Sequence, residues 1–294
     1  MTSTTLPASR RPPVTPAQRV ILVLGVPLVL TVAAWSGYGI LAASGHSSYT
    51  VTSSAPLSGG QLTMNAGDVW DGGEVSIQGG AATGSVRLSG TVGYDLTRPD
   101  VRPTLNVSRG PGGSSVGFSC PADNCQLQAA ASVPSSTAVS VTGNAHSVSV
   151  DGIAAPVSAS TGGGDLTLNA ITGSLALSTG GGNVQGTALA AQDVTVDSSF
   201  GNVDLMLTTV PKSLEINSGG GNVTIELPPG SARYRLQLDG GCGNPDGGAS
   251  SAVPSSAGSG AGSWCQDVSS SVPDDASSQN VIVVSSGGGQ ITIT

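Results

Sequence analysis

The chain has 294 residues, 44 of them glycine, with only 10% charged and 3% aromatic. Its net charge of −8 is unevenly placed: Arg10, Arg11 and Arg19 precede any acid, and the rest carries seven basic and eighteen acidic residues, net −11. So acidic a body is poor in the cations that neutralise phosphates or anionic headgroups, which argues against nucleic acid as a partner and disfavours direct adsorption to anionic lipid.

Residues 1–19 hold four prolines and no apolar periodicity, and read as a disordered cytoplasmic tail. Residues 20–43 follow without one charge, as VILVLGVPLVLTVAAWSGYGILAA. As a helix they would extend roughly 36 Å, enough to cross a bilayer core of ~30 Å. Arginines before the span keep the N-terminus cytoplasmic and place the remainder outside, after a linker at 44–48. The rival reading is a cleaved signal peptide ending near Ala42-Ala43-Ser44, although its apolar core would ordinarily be about 7–15 residues. No Cys ends the span, so a lipoprotein anchor is not indicated.

Residues 49–137 alternate in the manner of strands at Leu62/Met64, Val75/Ile77, Val86/Leu88, Leu105/Val107 and Val116/Phe118. Pro99, Pro103 and Pro111 interrupt them. This stretch is expected to be an irregular, membrane-proximal β cap.

Cys120, Cys125, Cys242 and Cys265 make an even number outside the expected span, which suggests two disulfides. Three pairings are possible; proximity favours Cys120–Cys125 and Cys242–Cys265. The second pair would staple the loop 242–265, rich in Gly, Ser and Pro. Closing about twenty residues is worth ~3 kcal/mol in the chain-entropy account.

From 138 onward the chain keeps a beat. Apolar pairs recur at Val139/Val141, Val148/Val150, Val157/Ala159, Leu166/Leu168, Leu175/Leu177, Val194/Val196, Val203/Leu205, Leu214/Ile216 and Val223/Ile225. Val184 fills the one gap, with Gly186 as its weak partner. The connections alternate in kind. One set is glycine-rich and ends at Asp165, Asn183, Asn202 and Asn222; the other carries Ile153, Ile171, Leu189 and Val210. The unit is therefore two strands and two unlike turns in 18–20 residues. A β-solenoid needs that alternation: glycine for a tight edge, an apolar plug for a wide one, Val stacked on Val and Leu on Leu. A β-sandwich meander is the alternative, but it does not require the turns to alternate. The final SSGGGQITIT repeats the theme, so the loop 242–265 would be an insertion before the last coil of a 138–294 repeat domain.

The phrases STGGGDLTL, STGGGNV, SSFGNVDL and NSGGGNVTIELPPG resemble the adhesin-like repeat domain of bacterial envelope proteins, of the DUF4097 type. The resemblance covers about residues 138–294 and, more loosely, the chain from residue 50. It implies a β-solenoid-like surface domain and carries no catalytic residues over.

Several constellations fall short of a site. Calcium-binding glycine turns need acidic ligands in consecutive turns. Here Asp165 is followed by Asn183, Asn202, Asn222 and Gln290, which fits an amide ladder between coils better. Asp151, Asp165, Asp193, Asp197 and Asp204 are the candidates for an acid/base pair in glycan cleavage. Asp193 and Asp197 sit where Asp is common for backbone reasons. His46 and His146 are isolated, so neither a triad nor a zinc site is indicated. GGGN lacks the GK[ST] of a phosphate loop.

The sequence thus predicts a non-enzymatic, single-pass, membrane-anchored extracytoplasmic protein, an adhesin or envelope scaffold, without metal or small-molecule cofactor. Its expected partners are the membrane and an extracytoplasmic protein or cell-wall polymer. A sensory ectodomain acting through a membrane partner is the alternative, and a glycan-active enzyme a distant third.

Overall fold

The computed structural model describes residues 46–66, 73–95, 104–119, 125–144, 146–230, 232–239 and 268–294. The expected tail and span at 1–43, the loop 242–265, and Cys120, Cys242 and Cys265 lie outside them. Among the described residues no helix is long and apolar enough to cross a membrane. The chain divides into two units, residues 1–47 with 94–99, and residues 48–93 with 100–294.

The second unit is all-β, with two parallel-rich mixed sheets. The regular part consists of β8 (Ala138–Gly143), β9 (Ser147–Asp151), β10 (Val157–Thr161), β11 (Leu166–Asn169), β12 (Leu175–Thr179), β13 (Val184–Leu189), β14 (Asp193–Ser198), β15 (Val203–Leu207), β16 (Ser213–Ser218) and β17 (Val223–Glu226). It is preceded by β1 (His46–Pro56), β2 (Gln61–Ala66), β3 (Glu74–Gln78), β4 (Ser85–Asp95), β5 (Thr104–Arg109), β6 (Ser114–Ser119) and β7 (Cys125–Ser132). It is followed by β18 (Arg235–Asp239), β19 (Val268–Ser270), β20 (Val281–Ser286) and β21 (Ile291–Ile293).

From β8 to β15 each strand pairs in parallel with the strand two places on. A hairpin meander would pair chain neighbours antiparallel. Val157 faces Leu175, Leu175 faces Val194, and Val194 faces Leu214, so each circuit returns to the same sheet one rung further along. This pairing is consistent with a β-solenoid-like fold. The predicted inward pairs are buried, and burial alternates residue by residue along the strands except at the irregular end of β13. Val does not stack only on Val, however. Val157 meets Leu175 and Leu166 meets Val184, whereas Val184, Val203 and Val223 do stack Val on Val.

The wide edge differs from expectation at one place. Ile153, Ile171 and Leu189 are buried as predicted, but Val210 is 37% exposed. The next plug is Leu207, which pairs with Leu189; Pro211 is buried beyond it. The register shifts at Gly186–Leu189, and that irregularity moves the plug forward. Gly186 is also explained there. A Cβ on it would sit 2.6 Å from Cδ1 of Leu189 and 2.9 Å from Cδ2 of Leu205, so these leucines fill the slot a side chain would have taken. The residue before each of the first three plugs is left-handed: Gly152 at φ 69°, Ala170 and Ala188 at 52°.

The expected cap is partly a continuation of the stack. Leu62 and Met64 of β2 face Val139 and Val141; Val75 and Ile77 of β3 face Val148 and Val150. β6 and β7 add one more parallel rung. β4 on β7 and β5 on β6 run antiparallel. The other end is reordered as well. β20 and β21 lie directly on β16 and β17, and β18 and β19 lie beyond them. The rung formed last along the chain is thus inserted before the terminal one.

Candidate functional site

The glycine edge is built from three rows. The innermost is a row of buried hydroxyls at Thr161, Thr179, Ser198, Ser218 and Ser286. Each lies three residues before a glycine. Thr161, Thr179, Ser218 and Ser286 accept the N–H of Gly164, Gly182, Gly221 and Gly289 at 2.8–3.2 Å. Ser198, Ser218 and Ser286 also donate to the carbonyls of Gly201, Gly221 and Gly289. These bonds satisfy polar groups that the tight turn buries. The pattern STGGG does not by itself reveal this role; the fixed offset of the hydroxyl from the third glycine is the signal that carries it. That glycine is demanded by space. A Cβ on Gly164, Gly182, Gly201, Gly221 or Gly289 would collide with the carbonyl of the preceding rung.

The second row is the predicted amide ladder. The Oδ1 of Asp165 accepts the N–H of Asn183 at 2.7 Å, that of Asn183 the N–H of Asn202 at 3.0 Å, and that of Asn202 the N–H of Asn222 at 2.9 Å. Asn222 does the same for Gln290 at 2.9 Å, across 68 residues of chain. The backbone carbonyls of these residues accept from the rung before, as Asn183 does from Leu166 at 2.8 Å. The ladder runs mainly side chain to backbone; in its first step Nδ2 of Asn183 also donates to Oδ1 of Asp165 at 3.3 Å. No group of three or more metal-ligating side chains occurs among the described residues.

The third row lies on the outward face beside this edge, where Ser178, Asp197, Asn217 and Ser285 are in register on successive rungs. Nδ2 of Asn217 donates to Oδ1 of Asp197 at 3.0 Å. The row floors an open groove of about 580 Å³, with Ser199 and Phe200 at its rim. Phe200 is 78% exposed. It sits in the predicted turn DSSFGN, where the strand and turn periodicity assigns it no role.

The remaining carboxylates are dispersed. Asp193 and Asp197 lie four residues apart on β14, so a strand rise of ~3.3 Å separates them by about 13 Å. Asp151 accepts from Nδ2 of Asn169 at 2.7 Å on the other sheet, which also carries Asp204. Near the end of the stack Asp275 accepts from the Ser277 hydroxyl and N–H and from Arg233, which lowers its pKa to about 2.

His146 is buried beside the edge of the Phe118 ring, with centroids 6.0 Å apart at 77°. Burial lowers its pKa, partly offset by backbone groups of Gly73 and Ala66. Cys125 opens β7 and lies opposite Val92 of β4.

No protein-family model and no curated protein matches the chain. A solved structure from Clostridium sporogenes, of a protein provisionally assigned as a cell adhesion protein, is similar over 83% of this chain and 99% of that one. The identity is 14% and the TM-score 0.37. A likeness of that degree assigns no function.

Proposed function

We propose that the chain is a non-enzymatic, membrane-anchored extracytoplasmic module of the adhesin or envelope-scaffold kind, built as a β-solenoid of 18–20-residue two-strand coils. The observation that carries this reading is the outward face of the stack. Short polar side chains stand there in register, rung after rung, as in Ser160, Ser178, Asp197, Asn217 and Ser285. The rigid core beneath holds them at a spacing of about 4.8 Å, which suits an extended macromolecule more than an enclosed substrate. The carboxylates spread over both sheets support a binding role over acid/base chemistry. The apolar run 20–43 behind three arginines supplies the tether. The phrases of residues 138–294 support membership of the DUF4097-type family. Cys242 and Cys265 lie within three residues of the ends of β18 and β19, a position suited to a staple.

Retention of the full chain, held in detergent micelles, on isolated envelope fractions tests the reading. Saturable retention is expected. Absence of retention at every salt concentration would remove it. A C-terminal tag cleaved by protease added to intact cells checks the orientation.

A further inference from the structure

The turn at residues 198–201 differs from its counterparts in its central residue. That position is Gly163, Gly181, Gly220 and Gly288 in the other glycine-edge turns, and Phe200 here. The fold does not ask for a ring. Phe200 is 78% exposed, and its nearest counterpart, Gly220, would bring a Cβ only to 3.5 Å of the ring. A single exposed apolar residue needs no explanation of its own; what distinguishes Phe200 is that it replaces a glycine of the repeat and lines the open groove beside the turn.

The ring stands beside a row that offers hydroxyl, carboxylate, amide and hydroxyl in order, at Ser178, Asp197, Asn217 and Ser285. Three rung spacings of about 4.8 Å make the row about 14 Å long. The bond from Asn217 to Asp197 orients these two side chains before anything binds. Among the described residues no cation lines the groove and its one charge is negative, on a chain that carries −8. Phosphodiester and uronate polymers are therefore disfavoured relative to neutral ones. A neutral pyranose fits each feature. Its apolar C–H face stacks on an aromatic ring, and its hydroxyls exchange hydrogen bonds with carboxylate, amide and serine groups.

We infer that the groove beside Phe200 binds a short segment of a neutral polysaccharide, stacked on the Phe200 ring and hydrogen-bonded along Asp197 and Asn217. This rests on the proposed role as an interaction module and names the class of ligand.

The test is calorimetric titration of the full chain with chitohexaose, cellohexaose and poly(glycerol phosphate). The variant Phe200→Gly installs the residue found in the counterpart turns and so keeps the fold; Phe200→Tyr keeps a ring. At least one neutral hexasaccharide is expected to bind, with affinity at least tenfold lower in Phe200→Gly and restored in Phe200→Tyr. The phosphate polymer is expected not to bind. Binding of neither sugar, equal binding by Phe200→Gly, or displacement of sugar by the phosphate polymer would each overturn the inference. Envelope retention separates the two levels. If wild type and Phe200→Gly are retained alike, the groove assignment fails and the interaction role stands. If wild type itself is not retained, the interaction role fails.

Discussion

The backbone N–H of Asn183 donates to Oδ1 of Asp165 across 2.7 Å, from one rung to the next. Asn202, Asn222 and Gln290 repeat the relation. Each side chain thereby gives an acceptor to an N–H that the turn has taken out of the sheet ladder.

Removing one step of this ladder has a bounded cost. Asn202→Ala leaves the Asn222 N–H to water at an exposed edge and is expected to cost ~1 kcal/mol. Asn202→Asp keeps the acceptor and is expected to stay near wild type. Urea unfolding curves of the two variants check this; equal midpoints would show that the ladder adds no stability.

The three glycines of one turn are not equivalent. Gly182→Ala drives a Cβ into the Gly164 carbonyl and is expected to cost about 2 kcal/mol or more. Gly181→Ala meets only the Gly163 Cα, at 4.0 Å, and is expected to be nearly neutral. A thermal shift of similar size for both would contradict the stacking at this edge.

Ala170 and Ala188 hold a left-handed backbone at φ 52° that Gly152 adopts without penalty. The conformation costs a non-glycine residue about 1–2 kcal/mol. The greater chain entropy of glycine offsets part of that. Ala170→Gly and Ala188→Gly are each expected to stabilise by ~0.5–1 kcal/mol, read as a raised denaturation midpoint. Destabilisation by both would refute the strain.

Burial disfavours the charged form of His146 and lowers its pKa from 6.5. The unfolded chain takes up a proton on this residue below about pH 6.5, whereas the folded chain does so only at lower pH. Its contribution is therefore full above that pH and is lost as pH falls through the window beneath it. Unfolding midpoints at pH 7.5 and 5.5 should differ more in wild type than in His146→Leu. An unchanged difference would assign the dependence to other groups.

β20 and β21 lie between the rung of β16 and β17 and the rung of β18 and β19. Deleting residues 281–294 removes Ile282, Val284, Ile291 and Ile293 from the core. At about 1.5–3 kcal/mol each, that loss rivals the whole stability of a typical domain. Hydrogen exchange should report lost protection in β16 and β17; retained protection would mean that the C-terminal rung is dispensable.

Much of the fold is legible in the sequence because it is local. Val157/Ala159 and Leu175/Leu177 announce strands with one buried face, and STGGGD announces a tight edge. The ladder from Asp165 to Gln290 is legible because one short polar residue recurs at one place in each unit. Val210 is misplaced by the sequence pattern because counting along the chain cannot register the irregularity at Gly186–Leu189, which brings Leu207 to the plug. Phe200 stands out in the sequence as the odd residue of SSFGN among the GGG turns, but its exposure and its place in the groove lining come only from the structure.

The sequence by itself determined the strands, the period and the two unlike edges, since period-2 burial and glycine stereochemistry act within a few residues. Only the tertiary structure decided the order of the rungs: β2 and β3 against β8 and β9, and β20 and β21 against β16 and β17. Every rung offers its neighbour the same backbone ladder and a similar apolar row. No local pattern can therefore choose among them, and the choice falls to which ends the longer connections can bring together.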